Sequence, residues 1–205
     1  MNANKPRRPA QIEVEQLENI EGEADTAVNS ELAHTTAQVV VPLGFRQAEE
    51  DPEVVERVLG VIRDEGIDVL AESWVRSPEE SLPGILWRGF LLREWIRRFP
   101  EEAHARFEAS KAVTEDAERI DATPSPADVL AEWNKVFEGD YKGEFADVLR
   151  DSARLTNFLG SVEPVWIADD EHPLATSVTR RDTALLSTSV EFRNAGELLE
   201  RGTLD

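Results

Sequence analysis

Apolar residues recur along this chain mostly at intervals of three and four, the spacing of one face of an α-helix. The clearest stretch lies between Asp51 and Gly66. Val54, Val55, Val58, Leu59, Val61 and Ile62 fall on one half of a helical wheel, and Glu53, Glu56, Arg57, Arg63 and Asp64 on the other. Asp51 suits the N-cap, Pro52 the first helical position and Gly66 the C-terminal stop. A short helix over Val69 to Val75 follows, closed by Ser77-Pro78, and another from Ser30 through Val41 is stopped by Pro42. Farther on, Ser125 and Asp128 form a capping box with Pro126 between them. They open a helix that places Val129, Leu130, Trp133, Val136 and Phe137 on one face. A strong helix over Glu144 to Leu159 buries Phe145, Val148, Leu149, Leu155 and Leu159.

The segment LWRGFLLREWIRRFP, residues 86–100, is apolar nearly all round. Ile85, Leu92, Trp95, Ile96 and Phe99 cluster with Gly89, while Leu86, Trp87, Phe90 and Leu91 cover most of the rest of the first two turns. That is the pattern of a central helix packed on several sides. Gly89 costs about 1 kcal/mol in a helix interior and so predicts a close helix crossing. Pro100 breaks the helix, and a narrower stripe of Ala103 and Phe107 carries a weaker helix to about Val113.

These elements predict an all-α protein: a compact orthogonal bundle of five or six helices over residues 29–160. Residues 1–28 read as a disordered acidic tail, because KPRRP is charged and proline-rich and IEVEQLENIEGEAD alternates acids with isolated aliphatics. Residues 161–205 read as an irregular segment. In it VEPVWIADDEHP and LLSTSVEF suggest short strands or extended chain, and Asn194 and Glu197 suggest a short terminal helix over Leu198 and Leu199.

Composition narrows the chemistry. Acids outnumber bases 42 to 22, for a formal net charge of -20. An acidic surface of that size disfavours direct nucleic-acid binding and anionic membranes, and favours basic partners. There is no cysteine, which removes disulfides, thiolate metal ligands and cysteine nucleophiles. The N-terminus has no apolar core of a signal peptide and no apolar run approaches a membrane span, so a cytoplasmic location is expected.

Against that charge, residues 86–100 gather Arg88, Arg93, Arg97 and Arg98 beside a single acid. The wheel places Arg93 and Arg97 on one exposed strip, Arg98 near Glu94, and Arg88 in the apolar arc. A buried guanidinium needs a carboxylate, so internal ion pairing is the default. The sharper expectation is a binding site, with Arg93 and Arg97 docking an acidic or phosphorylated partner and Arg88 organising the groove.

Other candidates are weaker. His34, His104 and His172 stand far apart, with no HExxH or EF-hand spacing, and DDEH at 169–172 reads as a loop rather than a metal site. No Walker A, GxGxxG or GxSxG pattern is present, so no cofactor and no catalytic residue are assigned. TRRDT at 179–183 makes Thr179 and Thr183 the candidate phosphorylation sites, beside Arg180 and Arg181.

LPGILWRGFLLREWIRRFPEEAHARF and SPADVLAEWNKVFEGDYKGEFADVL resemble, over about residues 50–160, small acidic helical proteins of high-GC bacteria that have no established activity. The resemblance implies a helical cytoplasmic bacterial protein and assigns no site residue. The functional expectation is a non-enzymatic module, regulatory in character, that binds another protein. One alternative is a small-ligand binder or enzyme with a cavity near Arg88. A second is an acidic surface that mimics DNA.

Overall fold

A computed structural model describes residues 23–43, 51–161 and 182–205. Within them the chain is an all-α bundle. Its helices are α1 (Glu23–Val40), α2 (Pro52–Glu65), α3 (Ile67–Trp74), α4 (Leu82–Arg98), α5 (Pro100–Val113), α6 (Ala117–Asp121), α7 (Pro126–Val136), α8 (Phe145–Leu159) and α9 (Asp182–Glu200). No strand occurs among the described residues.

The caps follow the sequence closely. Asp51 accepts from the Glu53 N–H, and Gly66 ends α2 with φ +90°, a conformation that excludes most L side chains. Ser81 caps α4 by accepting from the Gly84 N–H, and Ser125 and Asp128 form both bonds of the capping box on α7.

Helix α4 is the central element, packed by α1, α3, α5, α7 and α9. Of its residues, Leu82, Ile85, Leu86, Leu92, Trp95 and Ile96 are buried. Gly89 admits the close crossing expected of it. A Cβ there would stand 2.1 Å from the Trp133 ring of α7, well inside van der Waals contact. That ring is fully buried, stacks on Phe137 and meets Phe145 and Phe192 at their edges or at a tilt. Its Nε1 donates to Ser152 Oγ on α8 at 2.8 Å, so the one polar atom of the indole is satisfied inside the core. Helix α2 is peripheral. Its apolar stripe packs on α1 and α3, yet Ile62 alone on it is buried.

The two ends differ from the expected outline. Helix α1 begins at Glu23 rather than at Ser30. LLSTSVEF is not extended: it lies inside α9, a 19-residue helix whose most extensive packing is along α8. Its buried residues Leu185, Thr188, Ser189, Phe192 and Ala195 keep helical spacing. Two of those inward positions are hydroxyl residues, which read as polar in the sequence. Ser189 is accommodated because its hydroxyl donates to the Ala153 carbonyl at 2.8 Å. With Phe192 fully buried, α9 belongs to the same core as the preceding helices. Between α5 and α7 the chain contains the single turn of α6. Residues 1–22, including most of the expected tail, and residues 162–181, including VEPVWIADDEHP, Trp166 and the DDEH loop, lie outside the described residues.

Beyond α9, Gly202 adopts φ +68° and the chain turns back. Leu204 is then fully buried, and the Asp205 carbonyl accepts from the Leu82 N–H at the start of α4. The last residues thus supply an acceptor for one of the unpaired N–H groups of the central helix.

Gly89→Ala should lower stability by about 1–3 kcal/mol, because the added methyl overlaps an indole held on every side. Urea denaturation checks this, with the midpoint falling and the m-value unchanged.

Candidate functional site

The C-terminal half of α4 brings three of the four candidate arginines to one carboxylate. Glu94 is buried, with a side chain 7% exposed. Arg97 Nε and Nη2 donate to its two oxygens at 3.0 and 2.6 Å, Arg93 Nη1 donates at 2.7 Å, and Arg98 Nε donates at 3.0 Å. Helical geometry makes this possible, since residues three and four apart share a face. Burial pushes the Glu94 carboxyl up. The hydrogen bond and charge of Arg97, the charge of Arg93 and the hydrogen bond of Arg98 outweigh it and hold the group below the ordinary carboxylate range.

Arg93 is not on an exposed strip. Its side chain is 18% exposed, donates from Nε to Asn134 Oδ1 on α7 at 2.7 Å, and lies over the Phe137 ring. The sequence pattern could not show this, because α7 covers that side of α4 only in the folded chain. Arg97 remains half exposed, and Arg98 is 30% exposed. Arg88 stands apart from this cluster. It donates from Nε to Glu191 on α9 at 2.5 Å and from Nη2 to Glu79 at 3.0 Å, fastening α9 and the 78–80 turn to the central helix. Burial pushes the Glu191 carboxyl up, only partly offset by the hydrogen bond and charge of Arg88. Arg88 and Arg93 join helices to one another, Arg97 and Arg98 pair with Glu94 within α4, and all four make the internal ion pairs expected by default.

A second basic site was not legible in the sequence. Helices α8 and α9 run side by side with a solvent-open groove of about 430 Å³ between them. Ala153, Ser189 and Phe192, all buried, form its floor. Arg150 and Arg154 stand on the α8 wall, and Arg193, Glu197 and Glu200 on the α9 wall. Arg150 pairs with Asp147 and Arg154 with Asp151, but both arginines remain about half exposed. Arg193 is exposed and makes no ion pair among the described residues. The groove thus gathers three arginines on a chain whose net charge is -20, with Glu197 and Glu200 on the same lining and Asp147 and Asp151 paired to two of the arginines.

Gly196 opens the groove. It lies inside α9, where glycine costs about 1 kcal/mol relative to alanine. Unlike Gly89, it gains no packing in return, because a Cβ at this position would meet nothing within 4 Å. The sequence showed Gly196 and the arginines, but only the pairing of α8 with α9 brings them to one trough.

Other expectations resolve more simply. Arg106, passed over in the sequence, is buried on α5 and donates from Nε to the Leu159 carbonyl at 3.0 Å, closing the end of α8. Its position one residue from Phe107 was the available signal. Among the described residues, no three His, Asp or Glu side chains come together as a metal site. No helix among them is long and apolar enough to cross a membrane. Thr183 falls in the first turn of α9, and Thr179 lies outside the described residues. No known protein family, curated protein or solved structure matches the chain.

Buried Glu94 and part-buried Glu191 predict opposite pH responses. The lowered Glu94 stabilises the fold at neutral pH, and its contribution is lost as pH falls from the ordinary carboxylate range through its lower folded value. The raised Glu191 favours folding at low pH and opposes it as pH rises through its higher folded value. Glu94→Gln should therefore cost about 2–4 kcal/mol at pH 7 and flatten the acid limb of the stability profile. Glu191→Gln, which leaves Arg88 its bond to Glu79, should cost under about 1 kcal/mol. Urea titrations between pH 3 and pH 8 separate the two. Gly196→Ala should raise stability by about 0.5–1 kcal/mol in the same assay.

Proposed function

We propose that this chain is a non-enzymatic interaction module that holds an acidic, apolar-anchored segment of another protein in the α8–α9 groove. The observation that carries this reading is Gly196: an interior helical glycine with open space above it, between arginine-bearing walls. It leaves the groove open at a local cost that no packing offsets.

The physical roles divide accordingly. An aliphatic side chain entering the gap beside Gly196 would itself be covered by the groove walls. Burying one such side chain contributes about 1.5–3 kcal/mol. Half-exposed ion pairs contribute about 0.2–1 kcal/mol each. The anchor therefore supplies most of the affinity. Arg193, Arg154 and Arg150 select for acidic flanks and orient the segment during encounter. A single anchor with a charged rim suits a transient partner rather than an obligate one. The acidic remainder of the surface repels anionic competitors that lack such an anchor.

Site-specific photocrosslinking in the native cell tests this. A photoreactive side chain in place of Glu200, on the groove wall, should capture a partner whose crosslinked peptide is acidic. The same group in place of Arg57 on α2 should not. Adding Gly196→Phe, which fills the gap, or Arg154→Glu with Arg193→Glu should reduce capture at least tenfold, while circular dichroism shows both variants folded. Equal capture at the two positions, no capture at position 200, or capture undiminished by Gly196→Phe overturns the reading.

A further inference from the structure

We infer that the groove holds its partner segment in one direction. An aspartate or glutamate of the segment lies at the C-terminal end of α8, bound by Arg119 and Arg193, and an aliphatic side chain beside it rests on Leu186 and Val190. This rests on the reading of the groove as a docking site and gives its two ends different chemistry. The register of the walls is fixed at two points. The Ser189 hydroxyl donates to the Ala153 carbonyl, and a Cβ on Gly160 would stand 2.9 Å from Leu186 Cγ. Helices α8 and α9 are therefore antiparallel, and Asn157 lies opposite the turn from Leu186 to Val190. The trough ends with Asn157 and Ser189 on this side and with Ala146 and Glu200 on the other.

The two ends differ in which charges already have partners. Toward Glu200, Arg150 is paired with Asp147, and Glu197 is paired with Arg201. Toward Asn157, Arg119 reaches over from α6. Its Nη2 donates to Asn157 Oδ1 at 3.0 Å and to Ser161 Oγ at 2.9 Å, and its guanidinium lies over the Phe158 ring. Those acceptors are neutral, so the charge of this exposed arginine is not matched by a carboxylate among the described residues. Arg193 is exposed and makes no ion pair among them either. Two guanidinium groups without a carboxylate are the complement of one incoming carboxylate, which each can bind through paired N–H donors.

Leu186, Val190 and Arg193 follow one another at spacings of four and three, so they share a face of α9. Leu186 and Val190 are both exposed, and the contact of Leu186 with Gly160 turns that face toward the edge of the trough. The partner thus meets two apolar positions, the gap at Gly196 and the Leu186–Val190 step. Along α9 they are about 12 Å apart at 1.5 Å per residue, close to the rise of two helical turns. Both walls are helices whose main-chain groups are bonded internally. An extended segment would find no main-chain partners there, whereas a helix needs none. The segment that fits is an amphipathic helix with aliphatic anchors two turns apart and its acid next to the anchor that rests on Val190.

Photoreactive side chains placed singly at Val190 and at Glu200 of the full chain test the direction, with the crosslinked residue of the partner located by mass spectrometry. Both positions should capture the same segment, and its acid should lie nearer the residue marked from position 190 than the one marked from position 200. Arg119→Glu, outside the trough, should lower capture at position 200 at least tenfold. Arg150→Glu, at the opposite end, should lower it less than threefold. Ser161→Ala removes one bond that holds Arg119 to α8 but not its charge, and should leave capture unchanged. Circular dichroism checks that the three variants are folded, and the crosslink order needs none of them. An acid nearer the residue marked from position 200 overturns the inference. So do equal losses for Arg119→Glu and Arg150→Glu, or a loss for Ser161→Ala as large as that for Arg119→Glu. If Gly196→Phe abolishes capture and Arg119→Glu does not, the groove stands and its direction fails. If neither position captures a partner, both fail.

Discussion

The Trp133 indole lies so close to Gly89 that no side chain fits between them, and four helices are arranged around that contact. The ring belongs to α7, its six-membered ring lies against Gly89 of α4, its Nε1 donates to Ser152 on α8, and it packs at a tilt on Phe192 of α9. A large aromatic body with one polar atom demands both a close apolar surround and a buried acceptor. Meeting both demands fixes the distance between α4 and α7 and the rotation of α8. It also fixes where α9 comes to rest, because Phe192 completes the surround. Trp74 repeats the device on a smaller scale, donating from Nε1 to Thr36 on α1 while stacking on Phe137.

Most of the charge is organised around this core, and the charged residues that enter it, Glu94 and Arg106, are hydrogen-bonded. Of the arginines on α4, Arg88 reaches across to α9, Arg93 reaches across to α7, and Arg97 and Arg98 hold the carboxylate that Arg93 also uses. Glu94 is buried without being isolated, so desolvation is more than met by three guanidiniums. Glu191 has one strong partner and a second carboxylate nearby, and there desolvation prevails. One buried and one part-buried glutamate thus carry opposite shifts, decided by how many cations each faces.

Set beside these committed arginines, the rim of the α8–α9 groove is different in kind. Arg150 and Arg154 bond to acids one turn away on their own helix, an arrangement worth little and easily exchanged for another carboxylate. Arg193 has no such bond among the described residues. The groove owes its depth to what is missing from its walls, a side chain at Gly196, and its firmness to what lies beneath, the Phe192 ring and the Ser189 hydroxyl held by Ala153. A rigid floor and exchangeable rim partners are the features expected of a surface that binds reversibly.

The all-α class, the capping of α2 and α7, the central place of α4 and the close crossing at Gly89 were legible in the chain itself. Each depends on residues within a few turns of one another: a cap and its first turn, a stripe at helical spacing, a glycine among large apolar neighbours. The start of α1 and the helical state of LLSTSVEF were less legible, and in α9 the inward hydroxyl residues Thr188 and Ser189 hide the periodicity, Ser189 being met by the Ala153 carbonyl. The sites belong wholly to tertiary structure. Whether Arg93 is a docking group or a strut depends on α7 lying over it, and whether Gly196 is a packing glycine or an open one depends on what α8 leaves uncovered. Local sequence determines which faces a helix presents. Only the packing of distant helices decides which of those faces, and which charges, remain available to another molecule.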